Sequence, residues 1–212
     1  MKVLKILVAV AALSAVSFAG NAVIPTLGLN MSNISASGDY EDFYEEAGIL
    51  IGFNVGANYH LAINDQMGLL AGLSFETRGT AMTMDMITAY DASFQPITEE
   101  VDVVMSANYI QIPVLFQYNV MPELGIVVGP EAGIFLSGKA KIDDEEDDLE
   151  DINTLDLGLS FGANYTVAEK FVIGASYYLG LMNIDGSDSS DDADGAMKNT
   201  NIKLSVGYKM PM

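Results

Sequence analysis

Ile49-Leu50-Ile51-Gly52-Phe53-Asn54-Val55-Gly56-Ala57-Asn58-Tyr59-His60-Leu61 alternates two kinds of side chain along its whole length. The odd positions are all apolar or Tyr, and after Leu50 the even ones read Gly, Asn, Gly, Asn and His. Successive side chains of a strand point to opposite faces, so one face is a continuous apolar stripe. The other face is small and polar. A soluble barrel of lipocalin type would turn its apolar face inward and show Lys and Glu outside, not Gly and Asn. Apolar toward lipid and polar toward a lumen is the pattern of an outer-membrane strand. Eight stretches of the chain carry it. The expected fold is therefore all-β, an eight-stranded antiparallel up-and-down transmembrane β-barrel.

By the same alternation, strands are expected near 24–34, 48–62, 67–82, 101–120, 124–140, 153–167, 170–184 and 199–210. The connections alternate in length. Ile63-Asn64-Asp65-Gln66, Met121-Pro122-Glu123 and Ala168-Glu169 are tight, whereas loops near 35–47, 83–100, 141–152 and 185–198 are long. Outer-membrane barrels have short periplasmic turns and longer extracellular loops. An even strand count then places both termini in the periplasm.

The acids follow the same partition. Asp39, Glu41, Asp42, Glu45 and Glu46 fall in the first long connection, and Asp85, Asp91, Glu99, Glu100 and Asp102 in or beside the second. Asp143-Asp144-Glu145-Glu146-Asp147-Asp148-Leu149-Glu150-Asp151 fills the third, and Asp185, Asp188, Asp191, Asp192 and Asp194 the fourth. Together these are 23 of the 29 acids. The crossing segments are left almost free of charge, as hydrocarbon requires.

Lys2 and Lys5, the apolar run Ile6 to Val16 and Ser17-Phe18-Ala19 read as a secretory signal over 1–19, leaving residues 20–212 as the barrel domain. The apolar run is too short for a transmembrane helix of about 20 residues. Removing Lys2 and Lys5 leaves 7 basic residues against 29 acids, a net charge of −22. Such a chain repels nucleic acid. It has no cysteine, which excludes both a disulfide framework and a thiolate site.

Tyr59, Tyr118, Tyr165, Phe171 and Tyr208 fall on the apolar phase near the tight-turn ends, where a periplasmic aromatic girdle would sit. In the fourth strand Val101, Val103 and Met105 are apolar on odd positions, but from Ile110 the apolar set is even. Either a β-bulge lies near Asn108 or the first half stands above the lipid. Pro113, which cannot donate to a ladder, marks a further irregularity.

Few residues of the lumen phase are charged. Glu76, Arg78, Gln111, Glu131 and Lys203 fall at similar depth, and two acids and two bases there would nearly neutralise each other. An eight-stranded barrel is just wide enough for side chains to fill it. The expected role is a structural salt-bridged plug rather than an ion path. His60, the one histidine, would need a nucleophile or paired acid to act as a base, and it lies at the tight-turn end, away from the outer face where barrel enzymes place their catalytic groups, so no catalytic site is expected. Asp192-Ala193-Asp194-Gly195 has the middle of a calcium loop, but Asn201 stands where its final Glu should be. No metal site or cofactor is expected, only weak divalent-cation binding by the acidic loops.

Tyr109-Ile110-Gln111-Ile112-Pro113-Val114-Leu115-Phe116-Gln117-Tyr118 resembles the Tyr-Leu-Glu-Ile-Pro-Leu-Leu signature of the PorT-like outer-membrane β-barrel family. Gly129-Pro130-Glu131-Ala132-Gly133 resembles that family's Gly-Pro turn into a strand, and Leu27-Gly28-Leu29-Asn30-Met31-Ser32 its first-strand motif. Asp156 to Leu159, Gly162 to Tyr165 and Tyr178 to Ile184 are similar to its closing strands. Two departures are Gln111 in place of the signature glutamate and an end, Tyr208-Lys209-Met210-Pro211-Met212, without a terminal aromatic. The resemblance implies the barrel and its place in the outer membrane. The expected function is non-catalytic, structural or surface-interacting, with outer-membrane lipid as the partner and other envelope proteins as candidates. The alternatives are an accessory component of an outer-membrane secretion or transport complex, which the family name implies, and a narrow channel.

Overall fold

The computed structural model describes residues 21–38, 40–44, 47–90, 94–143, 145–149, 151–186 and 195–212. The expected signal segment and several loop acids, among them Asp39, Asp144, Asp192 and Asp194, lie outside the described residues. The strands are β1 (Ala22–Gly38), β2 (Gly48–Ala62), β3 (Met67–Tyr90), β4 (Pro96–Asn119) and β5 (Leu124–Ile142). They continue as β6 (Glu145–Asp148), β7 (Leu155–Val167), β8 (Phe171–Gly180), β9 (Gly195–Tyr208) and β10 (Met210–Pro211). A single helical turn, α1 (Glu41–Tyr44), lies between β1 and β2.

Eight strands pair antiparallel in the order β1-β2-β3-β4-β5-β7-β8-β9, and β9 pairs back onto β1 from Gly195–Gly38 to Gly207–Thr26. The ring is closed, so its backbone donors and acceptors are satisfied within the ring, which is the condition for crossing hydrocarbon with strands. The two remaining strands are accessories: β6 folds back along β5, and β10 pairs with Ala22 and Val23.

The molecule is apolar outside and polar inside. Leu27, Leu29, Ile51, Phe53 and Val206 are exposed, Ile51 by 71%, whereas Asn30, Ser32, Arg78, Thr80 and Gln111 are buried. Moving along β3 from its tight turn, the interior passes through three layers. Leu70 belongs to an apolar layer with Ala22, Ile24, Val127 and Val172. Glu76 and Arg78 come next. Met82 then joins Val101 and Val103 in a second apolar layer, packed against Tyr44, Ala47, Met84 and Met105.

That second layer and the strand register decide against one of the two readings of the fourth strand, a bulge in the strand itself. The β3–β4 register runs without a shift from Asp102 to Tyr118, and the odd positions Val101, Val103, Tyr109 and Gln111 are all buried. β4 therefore does not flip and does not bulge. Its outer half is apolar on the inward face because α1 and Ala47 cover the lumen there. The extra residue lies on the partner strand. Asn108 pairs with Ser137 and Tyr109 with Phe135, which leaves Leu136 bulged out of β5. At Pro113 the ladder to β3 is interrupted: the pairing passes from Ala71–Val114 to Ser74–Gln111.

The connections also differ from simple loops. The one expected at 83–100 is largely a β-hairpin, with β3 and β4 paired from Thr83–Asp102 to Tyr90–Pro96. The β-branched Thr83, Ile87, Ile97, Thr98 and Val101 favour strand there, and Thr83 Oγ1 donates to Asp102 Oδ1 at 2.9 Å. In the third connection, expected near 141–152, the acid run forms β6 because Lys139 and Lys141 of β5 stand opposite Asp148 and Glu146. β1 runs to Gly38 and β9 starts at Gly195, which shortens the first and fourth connections.

Candidate functional site

Alternation along β3 puts Glu76 and Arg78 on the same inward face, two residues apart. Neighbouring strands bring the other charges to that depth: Asn30 pairs with Lys203 and Pro113 with Glu131. The result is an alternating ring of charge. Glu76 Oε2 accepts from Arg78 Nη2 at 2.9 Å and Nε at 3.2 Å, and Glu76 Oε1 accepts from Lys203 Nζ at 3.1 Å. Glu131 Oε1 accepts from Arg78 Nη2 at 2.9 Å and from Lys203 Nζ at 2.8 Å. Each carboxylate thus bridges both cations. Ser74 Oγ donates to Glu76 at 2.9 Å, and Ser160 Oγ donates to Glu131 at 2.5 Å. Arg78, Glu76, Gln111 and Glu131 are all at most 1% exposed.

Gln111 lies in the same layer. With its amide oxygen turned toward Arg78 it accepts from Nη1 at 3.0 Å and Nη2 at 3.2 Å, and its nitrogen donates to Glu131 Oε1 at 3.2 Å. A glutamate there would add a carboxylate to a layer already rich in them. The neutral amide serves both signs of charge at once.

Sequence reasoning missed three members of the layer. Asp156 of β7 stands 3.6 Å from Arg78 Nη1 and accepts from Asn199 Nδ2 at 3.0 Å. The Tyr178 ring lies under the guanidinium, 4.1 Å from Arg78 Cζ to the ring centroid, a cation–π contact. Ser160 is the third. Asp156 also corrects the expected near-neutrality, since three carboxylates face two cations. Its signal was present, as the one acid within the alternating run Asp156, Gly158, Ser160, Gly162. Tyr178 gave none: an inward tyrosine fits only because Gly158 leaves room across the β7–β8 pair. A Cβ on Gly158 would lie 2.5 Å from Tyr178 Cζ.

Ion pairing in so dry a place satisfies buried charge rather than adding stability outright. Below the layer a polar chamber of about 90 Å³, bordered by Asn54, Ser74, Lys203 and Ser205, has room for a few waters. His60 is buried at the tight-turn end of β2 beside Gly68, far along the barrel from the charges. Among the described residues no group of three acids, histidines or cysteines is arranged to hold a metal ion.

The five aromatic residues all lie beside the tight turns. Tyr118, Tyr165, Phe171 and Tyr208 are exposed, with the Phe171 and Tyr208 rings edge-on at 5.6 Å. Tyr59 is half-buried and its hydroxyl accepts from Asn21 Nδ2 at 2.9 Å.

A closed ring of eight strands with apolar residues outside and charge inside narrows the comparison to membrane barrels. The family model described as "Outer membrane protein beta-barrel domain" matches residues 19–186. The chain belongs to this family. It is accordingly a barrel of the bacterial outer membrane, seated in lipid. Among solved structures it is similar to Ail, the attachment invasion locus protein of Yersinia pestis, determined in complex with the heparin analogue sucrose octasulfate. The identity is 18% and the TM-score 0.50, over 91% of this chain and 100% of that one. Neisserial surface protein A is 11% identical with a TM-score of 0.47, over 91% of this chain and 99% of that one. At such identities the likeness to Ail speaks for the fold alone. No curated protein sequence matches the chain.

Proposed function

We propose that this protein is a sealed, non-catalytic outer-membrane barrel that acts as a structural or surface-interaction protein. The observation that carries the reading is the lumen. A charged layer joined through Arg78 and Lys203 lies between two apolar layers; Arg78 is fully buried, and Lys203 shows 14% of its side chain, at the small chamber below. Transport of ions through such an interior would require breaking several buried pairs at once. Residues 1–19 act as the cleaved signal. Both termini lie in the periplasm, the acid-rich connections face outward, and Tyr59, Tyr118, Tyr165, Phe171 and Tyr208 mark the periplasmic interface. The layer of Glu76, Arg78, Gln111, Glu131 and Lys203 is a structural plug.

The polysulfate held by the Ail neighbour is not the expected ligand here. A chain of net charge −20, with most of its acids in the connections, repels sulfated glycans. Basic or neutral envelope partners fit its outward surface better, with weak divalent binding at most.

A second reading rests on the Tyr109–Tyr118 segment, which resembles the PorT-like signature. It makes the protein an accessory of an outer-membrane secretion or transport complex. Mild cross-linking in native outer membranes, followed by purification and identification of neighbours, separates the two. Reproducible capture of a large export assembly would establish the accessory role. Recovery as a lone barrel supports the stand-alone reading.

A further inference from the structure

Above the charged layer, at the end of the barrel away from the tight turns, lies a second cavity of about 220 Å³. Its walls are apolar: Ile34 of β1, Met105 of β4 and Met197 of β9, with Leu149 and Ile184 reaching in from the connections. The floor is the Tyr109 ring and the Asn199 amide, which bond to each other at 3.3 Å. The roof is built rather than loose. Asn153 Nδ2 donates to the carbonyls of Asn183 and Asp185 at 3.0 and 2.7 Å, and Gly186 N donates to Asp151 O at 2.6 Å. Asn183 Oδ1 accepts from the backbone of Asp185 and of Met197. Tyr40 OH donates to Asp185 Oδ2 at 2.6 Å, and Tyr44 OH reaches Met105 Sδ at 3.4 Å. Burial, then the Asp185 carboxylate and Tyr40, push the Tyr44 phenol up, so it remains a neutral part of the roof.

An apolar cavity of about 150 Å³ is enough to take up benzene and to stay free of water otherwise. This one is larger, and its polar groups are few and lie at the floor and rim, as in small-molecule sites. The Tyr109 oxygen accepts from Asn199, so the hydroxyl proton remains available as a donor at the floor of the cavity. Asp151 and Asp185 at the rim disfavour an anion, and the apolar walls with Arg78 beneath the floor disfavour a cation. We propose that this cavity binds a small neutral apolar molecule, the size of one substituted aromatic ring, carrying a single hydrogen-bond acceptor. The proposal goes beyond the surface role and requires only the folded barrel.

The test uses the protein in lipid nanodiscs with carbon-13 methyl-labelled methionine and acetophenone as the probe. Met105 and Met197 report on the cavity, while the exposed Met67, Met121 and Met212 report on partition into lipid. Saturable shifts at Met105 and Met197, absent at the other three, are expected. Benzoate should leave both methyls unmoved. Filling the cavity with Ala107→Leu should weaken acetophenone binding at least tenfold. Met197→Phe, which enters from another wall and is read at Met105, serves if the first variant does not fold. Shifts that grow linearly and alike at all five methyls, no shift up to the solubility of the probe, or equal binding of benzoate would each overturn the proposal.

Discussion

Arg78 sits at the centre of the buried layer, touching Glu76, Glu131, Gln111 and the Tyr178 ring, with Asp156 next to it. Removing one partner of a buried charge cluster leaves the rest uncompensated, at a cost of about 3–5 kcal/mol. Arg78→Met is therefore expected to lower the denaturant midpoint of the refolded barrel by that order, read from heat-modifiable migration against urea. Lys203→Met should also destabilise, and adding Glu131→Gln should recover part of the loss, because the pair acts as a unit. Strict additivity of the two changes would disprove the coupling. Gly158 makes a further residue-scale test. Gly158→Ala must displace Tyr178 from beneath Arg78, since the added Cβ has no space. The expected outcome is a loss of stability that Tyr178→Leu in the same background relieves only in part, because the added Cβ also meets the Leu179 carbonyl oxygen.

At the scale of elements, β6 is the part that solution conditions control. Glu146 accepts a hydrogen bond from Lys139, and both side chains are exposed. That bond, and then the Lys139 charge, hold the Glu146 carboxyl below its ordinary range, while the same contact pushes Lys139 up. A lowered carboxyl pKa contributes stability above the ordinary glutamate range and loses it as pH falls through the lowered value. A raised lysine contributes below its ordinary pKa and loses it as pH rises through the raised value. β6 is thus expected to dock on β5 at neutral pH and detach in acid, more readily in high salt because exposed charges are screened. Backbone chemical shifts of residues 145–148 that stay strand-like from neutral pH into strong acid would contradict this. Deleting residues 143–151 should still leave a heat-modifiable barrel, because the ring pairings do not use β6. Failure to fold would mean that the acid run supports the ring.

For the whole molecule the prediction concerns permeability. Two apolar layers enclose the charged one, and the cavities above and below it are not joined through Arg78, which is fully buried. Planar-bilayer recordings of the wild-type protein are expected to show no steady conductance. Well-defined single-channel steps would refute the sealed lumen. Arg78→Ala, if it folds, removes the largest buried side chain of the layer and is the variant in which a leak is expected.

The sidedness of the strands is written in the chain alone. Alternation from Ile49 to Leu61 is a local property, since each residue's face follows from its parity. The eight-strand ring, the apolar exterior and the inward positions of Glu76, Arg78, Gln111, Glu131 and Lys203 were legible for that reason. Parity cannot carry contacts between distant segments, and these come from the folded ring. Val101 and Val103 are apolar and inward because α1 covers them, an arrangement formed between segments far apart in the chain. The fit of Tyr178 over Gly158 depends on the stagger of two strands. The upper cavity exists because connections thirty residues apart meet through Asn153 and Asn183. Hydrophobic alternation assigns a side to each residue. Packing, which depends on register and on covering segments, decides what that side touches.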